Sequence, residues 1–285
     1  MHLNFNKTLL TAAIAFVSTA AMAEGPWVLD EDYTDISTSY ISDTINAVWE
    51  RGDIKTDPHP KISQQNIWLV YSYGYSERTT VSASVGYTQS QYALSTSSSD
   101  DFSGLSDSKF SLKYQLTNEF WSDQLVTVST KFSLLVRGTY DRASAGRPHA
   151  PGDKANGFDA SIQAGKFISD SFATYFEVGA RRLYNDVPNE YYYNTGFHYS
   201  MTPKLSLSGL YAGKKSTSGT DLNDPTTGFT LDGFHKLREE RTWVEVSGNF
   251  LLDEISSISL GFSLVIDGKN TGQSEVIYLS YSYSY

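Results

Sequence analysis

The chain of 285 residues contains no cysteine, so no disulfide can stabilise its fold and no thiolate is available for catalysis or metal binding. It also lacks any run of about 18 apolar residues, which excludes a transmembrane helix. Basic residues are few: 22 Lys and Arg stand against 32 Asp and Glu, and this acidic balance argues against a nucleic-acid partner. The fold must therefore be sought in the periodicity of the sequence.

The first 23 residues have the three parts of a secretory signal peptide. Lys7 supplies the positive region, residues 8–17 form an apolar core that is too short to span a bilayer, and Ala21-Met22-Ala23 is a small-x-small cleavage site. No cysteine follows this site, which excludes a bacterial lipoprotein anchor. We expect export through the secretory pathway, cleavage after Ala23 and one mature domain over residues 24–285.

The composition is typical of a β-protein, although the mean hydropathy of −0.34 would ordinarily suggest a soluble one. The chain has 20 Tyr, 15 Phe and 21 Gly, and Tyr and Phe are enriched in strands. Average hydropathy cannot separate a soluble from a membrane barrel, because in a membrane barrel only every second residue faces lipid. Alternation can separate them.

Alternation of apolar and polar residues with a period of two continues almost throughout the chain after Asp32. In one example, Val81, Ala83 and Val85 alternate with small or polar residues after a turn at Glu77-Arg78. About twelve such segments follow one another, and twelve is an even number, as is usual for outer-membrane barrels. The pattern predicts an all-β fold, a transmembrane antiparallel β-barrel of about 12 strands.

The connections between these segments alternate in length. Short ones are predicted at residues 76–79, 117–123, 169–171, 201–204 and 253–255, and longer polar ones at residues 44–61, 95–104, 139–156, 185–189, 216–239 and 267–272. Short periplasmic turns and longer extracellular loops alternate in this way in outer-membrane barrels. A soluble sandwich is the alternative, but it would bury its apolar faces against each other and gives no reason for the alternation in length.

Aromatic residues gather near both ends of the predicted outward face, as rings do at the two membrane interfaces. The last strand ends in Tyr285, with Tyr283, Tyr281 and Leu279 at alternate positions, and resembles the closing strand that outer-membrane assembly machineries recognise. An edge strand that needs a partner would look much the same. The expected location is the outer membrane of a Gram-negative bacterium, and the expected partners are its lipid and lipopolysaccharide, the barrel-assembly machinery and a small-molecule solute.

Two segments resemble the outer-membrane barrel family named for the meta-pathway of phenol degradation. They are GPWVL at residues 25–29 and GLSDSKFSLKYQL at residues 104–116, which is similar to the family pattern G-L-x-D-x-x-L-x-L-K-Y-x-L. Ser106 and Ser108 depart from it, since bulkier residues are common there. The resemblance implies passage of small aromatic or other apolar compounds across the outer membrane. It supplies no catalytic or binding residues.

Enzymatic and metal chemistry have weak support in the sequence. His198-Tyr199-Ser200 superficially matches the base and nucleophile of a lipid hydrolase, but both side chains are predicted to point inward, away from acyl chains. The Asp100-Asp101 pair and the Asp221 to Asp224 segment are rich in oxygen, yet neither has the full spacing of a calcium loop. We expect no catalytic activity, no cofactor and no metal site.

Charged and aromatic residues on the predicted inward face are the strongest functional signal. Opposed charges in a pore set its selectivity, whereas in a closed barrel the same charges would be internal salt bridges. The alternatives are therefore a channel for passive uptake or export of small solutes, which the family resemblance implies are aromatic or apolar compounds, a closed structural or surface-interaction barrel, and a lipid hydrolase. The pore-lining candidates are Trp68, Lys109, Lys113, Lys131, Arg137, Tyr175, Glu177, Arg181, Tyr192, Lys214, Arg241, Trp243 and Glu245.

Overall fold

The computed structural model describes residues 25–50, 55–56, 62–95, 98–121, 125–142, 152–222, 224–228, 230 and 233–285. The predicted signal peptide, residues 1–23, lies outside them. Fourteen strands occur in these ranges, with two single-turn 3-10 helices at Pro225–Thr227 and Phe234–Lys236. The strands are β1 (Thr34–Trp49), β2 (Lys55–Thr56), β3 (Ile62–Ser76), β4 (Thr79–Ser95), β5 (Ser98–Leu105), β6 (Ser108–Thr117), β7 (Thr127–Val136), β8 (Gly157–Ser169), β9 (Phe172–Leu183), β10 (Glu190–Ser200), β11 (Leu205–Ser216), β12 (Glu240–Leu251), β13 (Ser256–Lys269) and β14 (Thr271–Ser284).

Twelve of these strands form one closed antiparallel barrel. Neighbours along the chain pair in the order β1, β3, β4, β6 and then β7 to β14. The ring closes where β14 pairs with β1, from Asp35 opposite Ser284 to Trp49 opposite Thr271. The two short strands extend this ring, since β2 pairs with β1 and β5 pairs with the far end of β4. The predicted barrel of about twelve strands is confirmed.

The two faces of the barrel are inverted relative to a soluble protein. Large apolar side chains on the outer face are exposed, for example Ile67 at 56% and Leu260 at 61%, whereas Ser90 and Ser129 on the inner face are fully buried. A monomer in water rarely exposes a contiguous apolar belt of this extent. The outer face is therefore built to meet hydrocarbon.

No helix in the described ranges is long and apolar enough to cross a membrane.

The five short connections fall where the sequence predicted them, between β3 and β4, β6 and β7, β8 and β9, β10 and β11, and β12 and β13. Two predicted loops are wrong. The one at residues 95–104 is largely strand β5, and at residues 267–272 β13 and β14 continue until only Asn270 separates them. Asn270 adopts a left-handed conformation with φ 54°, which asparagine tolerates better than most residues. Its side-chain amide bonds Asp221 and the carbonyl oxygen of Arg238, and these contacts hold the tight turn.

Candidate functional site

The lumen holds a segment from the N-terminal end of the described chain, residues 25–29. Its main chain is anchored to one side of the barrel, near the end where the short turns lie. The Leu29 amide donates a hydrogen bond of 2.8 Å to Oγ1 of Thr80, which lies on β4. Its carbonyls accept hydrogen bonds from inward side chains of β6 and β7: Lys113 donates to Gly25 and Trp27 at 2.8 and 3.3 Å, and Gln115 and Ser129 donate to Pro26.

The Trp27 side chain reaches the opposite wall of the lumen. Trp27 is 92% buried and belongs to an apolar cluster inside the lumen. Its ring lies edge-on to Phe167, with the centroids 5.0 Å apart. The cluster also includes Ala173 and Tyr175 of β9, Leu210 and Ala212 of β11, and the partly buried Trp243 of β12. The segment therefore crosses the lumen from β4, β6 and β7 to β9, β11 and β12 and narrows it.

A chain of ion pairs, here called the charged ladder, lines the lumen nearer the end where the long loops lie. It consists of alternating cations and carboxylates on β6 and on β8 to β11, with one member in the connection before β12. The pairs are Lys109–Asp159 at 3.4 Å, Arg181–Asp159 at 3.5 Å, Arg181–Glu190 at 3.3 Å, Lys214–Glu190 at 3.3 Å and Lys214–Glu239 at 2.6 Å. Charges taken from water need partners, and each of these has at least one.

In the connection between β7 and β8, the described residues 137–142 and 152–156 are held in place by two residues, and Asp153 and Ala155 line the lumen. Tyr140 is 98% buried, and its hydroxyl donates to Asp107 Oδ2 at 2.8 Å and accepts from the Lys154 amide at 2.8 Å. Burial, reinforced by the Asp107 carboxylate, raises the pKa of the Tyr140 hydroxyl above its ordinary value, so the group remains a donor. Arg142 donates to the carbonyl oxygens of Asp153 and Lys154 at 2.9 and 3.1 Å.

Between this connection and the barrel wall lies a cavity of about 350 Å³, here called the lumen cavity. One part of its lining is apolar and comprises Ile41, Trp68, Val70, Leu135, Ala155 and Leu183. The other part is charged and comprises Asp107, Lys109, Asp153, Arg181, Glu190 and Lys214. An apolar wall with a few convergent polar groups is typical of small-molecule sites.

A second cavity of about 210 Å³, here called the outer cavity, is lined mainly by loops. It is bounded by residues of the connections after β7, β9, β11 and β13, among them Val187, His235 and Leu237. Burial lowers the pKa of the His235 imidazole below its ordinary value, so this group is neutral at pH 7. Asp153 and Glu190 line both cavities. These two carboxylates therefore stand where the outer cavity adjoins the lumen cavity.

The pore-lining candidates separate into groups with different surroundings. Lys109, Arg181 and Lys214 join the charged ladder and, with Trp68, line the lumen cavity. Lys113, Tyr175 and Trp243 instead contact the N-terminal segment or its aromatic cluster.

The remaining candidates lie elsewhere on the inner wall, with one exception. Arg137 is exposed just beyond the end of β7. Glu177 accepts a hydrogen bond from Asn194, and Glu245 accepts one from the Tyr278 hydroxyl at 2.7 Å. The Arg181 guanidinium lies over the Tyr192 ring, and the Arg241 guanidinium lies over the Trp243 ring. Lys131 is half-buried on β7.

Sequence reasoning missed five residues that shape the lumen. Asp159 was on the inward parity of β8, and an inward cation on each neighbouring strand could have drawn attention to it. Glu190 and Glu239 lie at the ends of loops, where the alternation of apolar and polar residues is interrupted and does not predict which way a side chain points. Trp27 and Asp153 are outside the strands altogether, so period-two analysis gives no indication of where they lie.

The His198 side chain does not pair with Ser200. Its Nδ1 lies 2.8 Å from Ser208 Oγ on the adjacent strand, and its ring stacks on Tyr175 with centroids 5.4 Å apart. The geometry required of a nucleophile and base within one His-x-Ser segment is therefore not formed by these two residues.

Asp221, one of the oxygen-rich loop residues, is held by protein groups. Its carboxylate accepts from Arg238 at 2.6 Å, Lys269 at 3.2 Å and Asn270 at 3.0 Å. These contacts tie the connection between β11 and β12 to the tight turn at Asn270. Within the described ranges, no three His, Asp or Glu side chains are grouped so as to hold a metal ion.

No protein-family model matches this chain, and no curated protein matches it. Solved structures do match. An outer-membrane channel from Pseudomonas putida F1 has a TM-score of 0.73 at 16% identity, covering 91% of this chain and 98% of that one. The KdgM porin has a TM-score of 0.52 at 10% identity, covering 87% and 99%.

The fold is shared with outer-membrane channel barrels. It is also similar to the translocator domain of the autotransporter NalP from Neisseria meningitidis, with a TM-score of 0.50 at 10% identity and 88% coverage of each chain. At these identities the likeness establishes the fold alone, and function must be argued from the lumen. Membership of the phenol meta-pathway family stays a prediction, since no family model matches.

Proposed function

We propose that this protein is a channel-type barrel of the Gram-negative outer membrane that passes small solutes with an apolar part. The observation that carries the proposal is the lumen cavity, in which Trp68, Ile41 and Val70 face a charged wall. A barrel with only a structural role has no need of such a space, because side chains can fill a small interior completely.

The outer face supports the proposed location. Its exposed large apolar side chains in the strands are Leu, Ile, Val, Phe and Tyr, and in strands such as β3, β6 and β13 they recur at every second position. In a bilayer this belt is solvated by acyl chains, and lipid and lipopolysaccharide are then the immediate partners. The C-terminal strand, in which Tyr285 exchanges backbone hydrogen bonds with Thr34, supports a role for that strand in assembly of the closed barrel.

The narrowed lumen supports small solutes rather than free diffusion of large polar ones. Residues 25–29 cross the lumen on the short-turn side, and the connection carrying Asp153 covers it on the long-loop side. The same features favour a second candidate, a barrel closed at rest. The two candidates differ in whether the purified protein conducts.

Single-channel recording in planar bilayers tests the proposal. The folded full-length protein should give discrete ohmic steps of small conductance, since a lumen crossed by Trp27 leaves a narrow water path. A small solute with an apolar part, added to one side, should reduce the current. Protein that is shown to be folded and inserted but gives no steps, even at high voltage, would favour the closed barrel.

A further inference from the structure

The lumen cavity is lined by three cations and three carboxylates, and the way these groups are paired points to one class of ligand. Its three cations, Lys109, Arg181 and Lys214, are all engaged in the charged ladder. Arg181 and Lys214 each bridge two carboxylates. An incoming anion would have to compete with these carboxylates for every cation in the cavity.

The carboxylates of the cavity are not all engaged. Asp107 accepts from Tyr140 and from the Gly138 amide, and Glu190 accepts from Arg181 and Lys214. The Asp153 carboxylate, in contrast, forms no hydrogen bond or ion pair with the described residues. Among the described residues, the charged groups that act on it most are Lys214, Glu239, Glu190 and Asp107, three carboxylates and one cation that is already shared. The Arg142 guanidinium bonds the Asp153 backbone carbonyl oxygen and not its carboxylate.

We infer that the lumen cavity binds a small amphipathic amine, with its ammonium group at Asp153 and its apolar body against Trp68, Ile41 and Val70. This inference rests on the proposed function, because it names the class of solute that the channel would take. An ammonium group supplies the direct ion pair that no described residue forms with the Asp153 carboxylate, and a carboxylate that a ligand removes from water without such a pair is costly. The apolar body gains by leaving water for a wall of aliphatic and aromatic side chains.

The position of Asp153 fits the first contact of such a ligand. Asp153 and Glu190 line both the outer cavity and the lumen cavity, so a cation that enters from the loops meets carboxylates before it meets the apolar wall. Trp68 of β3 is itself part of this wall, and the face of an aromatic ring also attracts cations. The lumen cavity, about 350 Å³, is at the lower end of the range of about 300–1,000 Å³ for ligand pockets.

Three probes that share a phenyl ring and a two-carbon linker separate the contributions of charge and apolar area. They are 2-phenylethylamine, 3-phenylpropanoate and 2-phenylethanol. Their binding to the folded full-length barrel is measured by isothermal titration calorimetry in detergent at pH 8, with heats of transfer into empty micelles subtracted. We expect the amine to bind at least tenfold more tightly than the alcohol, and the carboxylate to bind most weakly.

Variants assign the effect to Asp153. D153N should weaken amine binding about tenfold and leave alcohol binding unchanged, whereas D153E should retain most of it. D170N is the matched control, because Asp170 is exposed in the turn between β8 and β9, at the other end of the barrel. Heat-modifiable electrophoretic mobility shows whether each variant is folded.

The inference is overturned if the alcohol or the carboxylate binds as tightly as the amine, if none of the three binds, or if D153N and D170N behave alike. Conductance is measured separately on the same preparations. Ohmic steps without selective amine binding would support the proposed channel and contradict the proposed amine site. Amine binding without any steps would contradict the channel and support the amine site.

Discussion

At the scale of single residues, the Asp153 carboxylate gives the lumen a predictable dependence on pH. Burial raises the pKa of Asp153 to about 7, with Glu239, Glu190 and Asp107 adding to the effect and Lys214 opposing it. The carboxyl is therefore mostly neutral at pH 6 and mostly ionised at pH 8. An alkylammonium group, with a pKa close to the about 10.4 of lysine, stays charged over this range. The affinity for 2-phenylethylamine should rise by about an order of magnitude between pH 6 and pH 8.

Calorimetric titrations at four pH values across this range check the prediction. D153N provides the comparison, since it has no carboxyl to ionise and should show a flat profile. Neutral 2-phenylethanol should give no pH dependence with either protein. A flat profile for the amine with the parent protein would show that Asp153 does not contact the ammonium group.

Gly86 is a second residue whose side chain, or lack of one, shapes the lumen cavity. A Cβ atom built at this position would lie 2.7 Å from Cδ2 of the Trp68 ring, closer than real Cβ contacts allow. Gly86→Ala should therefore displace Trp68 and destabilise the barrel by about 1–3 kcal/mol. Urea unfolding from phospholipid vesicles measures the change in free energy.

Gly248→Ala is the matched control for that substitution. Gly248 lies in β12, and a Cβ atom there would have no heavy atom within 4 Å. Its replacement should change the free energy of unfolding by less than about 0.5 kcal/mol. Equal effects at the two glycines would mean that strand propensity, and not the ring of Trp68, decides the outcome.

At the scale of elements, the N-terminal segment controls the width of the lumen. Trp27 fills the space between Tyr175, Leu210 and Ala212, while the main chain on either side is held independently by Lys113. Trp27→Ala should therefore leave the segment in place and widen the water path. We expect single-channel conductance several times that of the parent protein, recorded in planar bilayers under identical salt.

Trp121→Ala tests whether this effect is specific to the lumen. Trp121 is 44% exposed in the connection between β6 and β7, where Arg78 lies over its ring. Its removal deletes the same side chain at the same end of the barrel but outside the lumen, and conductance should stay at the parent value. If Trp27→Ala also leaves conductance unchanged, the segment does not limit the current.

How far the elements could be predicted depends on whether each is periodic. Strand alternation placed Lys109, Arg181 and Lys214 on the inner wall because side chains of a strand alternate between two faces. It gave no information on the position of Asp153, which lies outside the strands and is fixed by the hydrogen bond from Arg142 to its carbonyl oxygen. The loop predicted around Asn270 was wrong because it was inferred from turn-forming residues. Two of them, Gly268 and Gly272, lie within paired strands.

At the scale of the whole molecule, closure determines which parts of the structure could be predicted at all. A sheet whose outer face meets lipid cannot leave an unpaired edge in hydrocarbon, so the last strand must pair with the first, and β14 does pair with β1 along its whole length. The contents of the lumen follow from no such rule. They depend on contacts between residues far apart in sequence, such as Lys113 with Gly25 and Lys109 with Asp159.

The inverted faces of the barrel lead to a prediction that separates a membrane protein from a soluble one. Leu260 and Leu252 are exposed to 61% and 47%, the first within β13 and the second in the turn before it. In water, arginine at either position would have little effect on stability. In a bilayer, Leu260→Arg should cost about 2–4 kcal/mol because the position lies deep in hydrocarbon, whereas Leu252→Arg near the interface should cost about 0–1 kcal/mol. Urea unfolding from phospholipid vesicles measures both costs, and equal values for the two variants would place the outer face of this barrel outside the membrane.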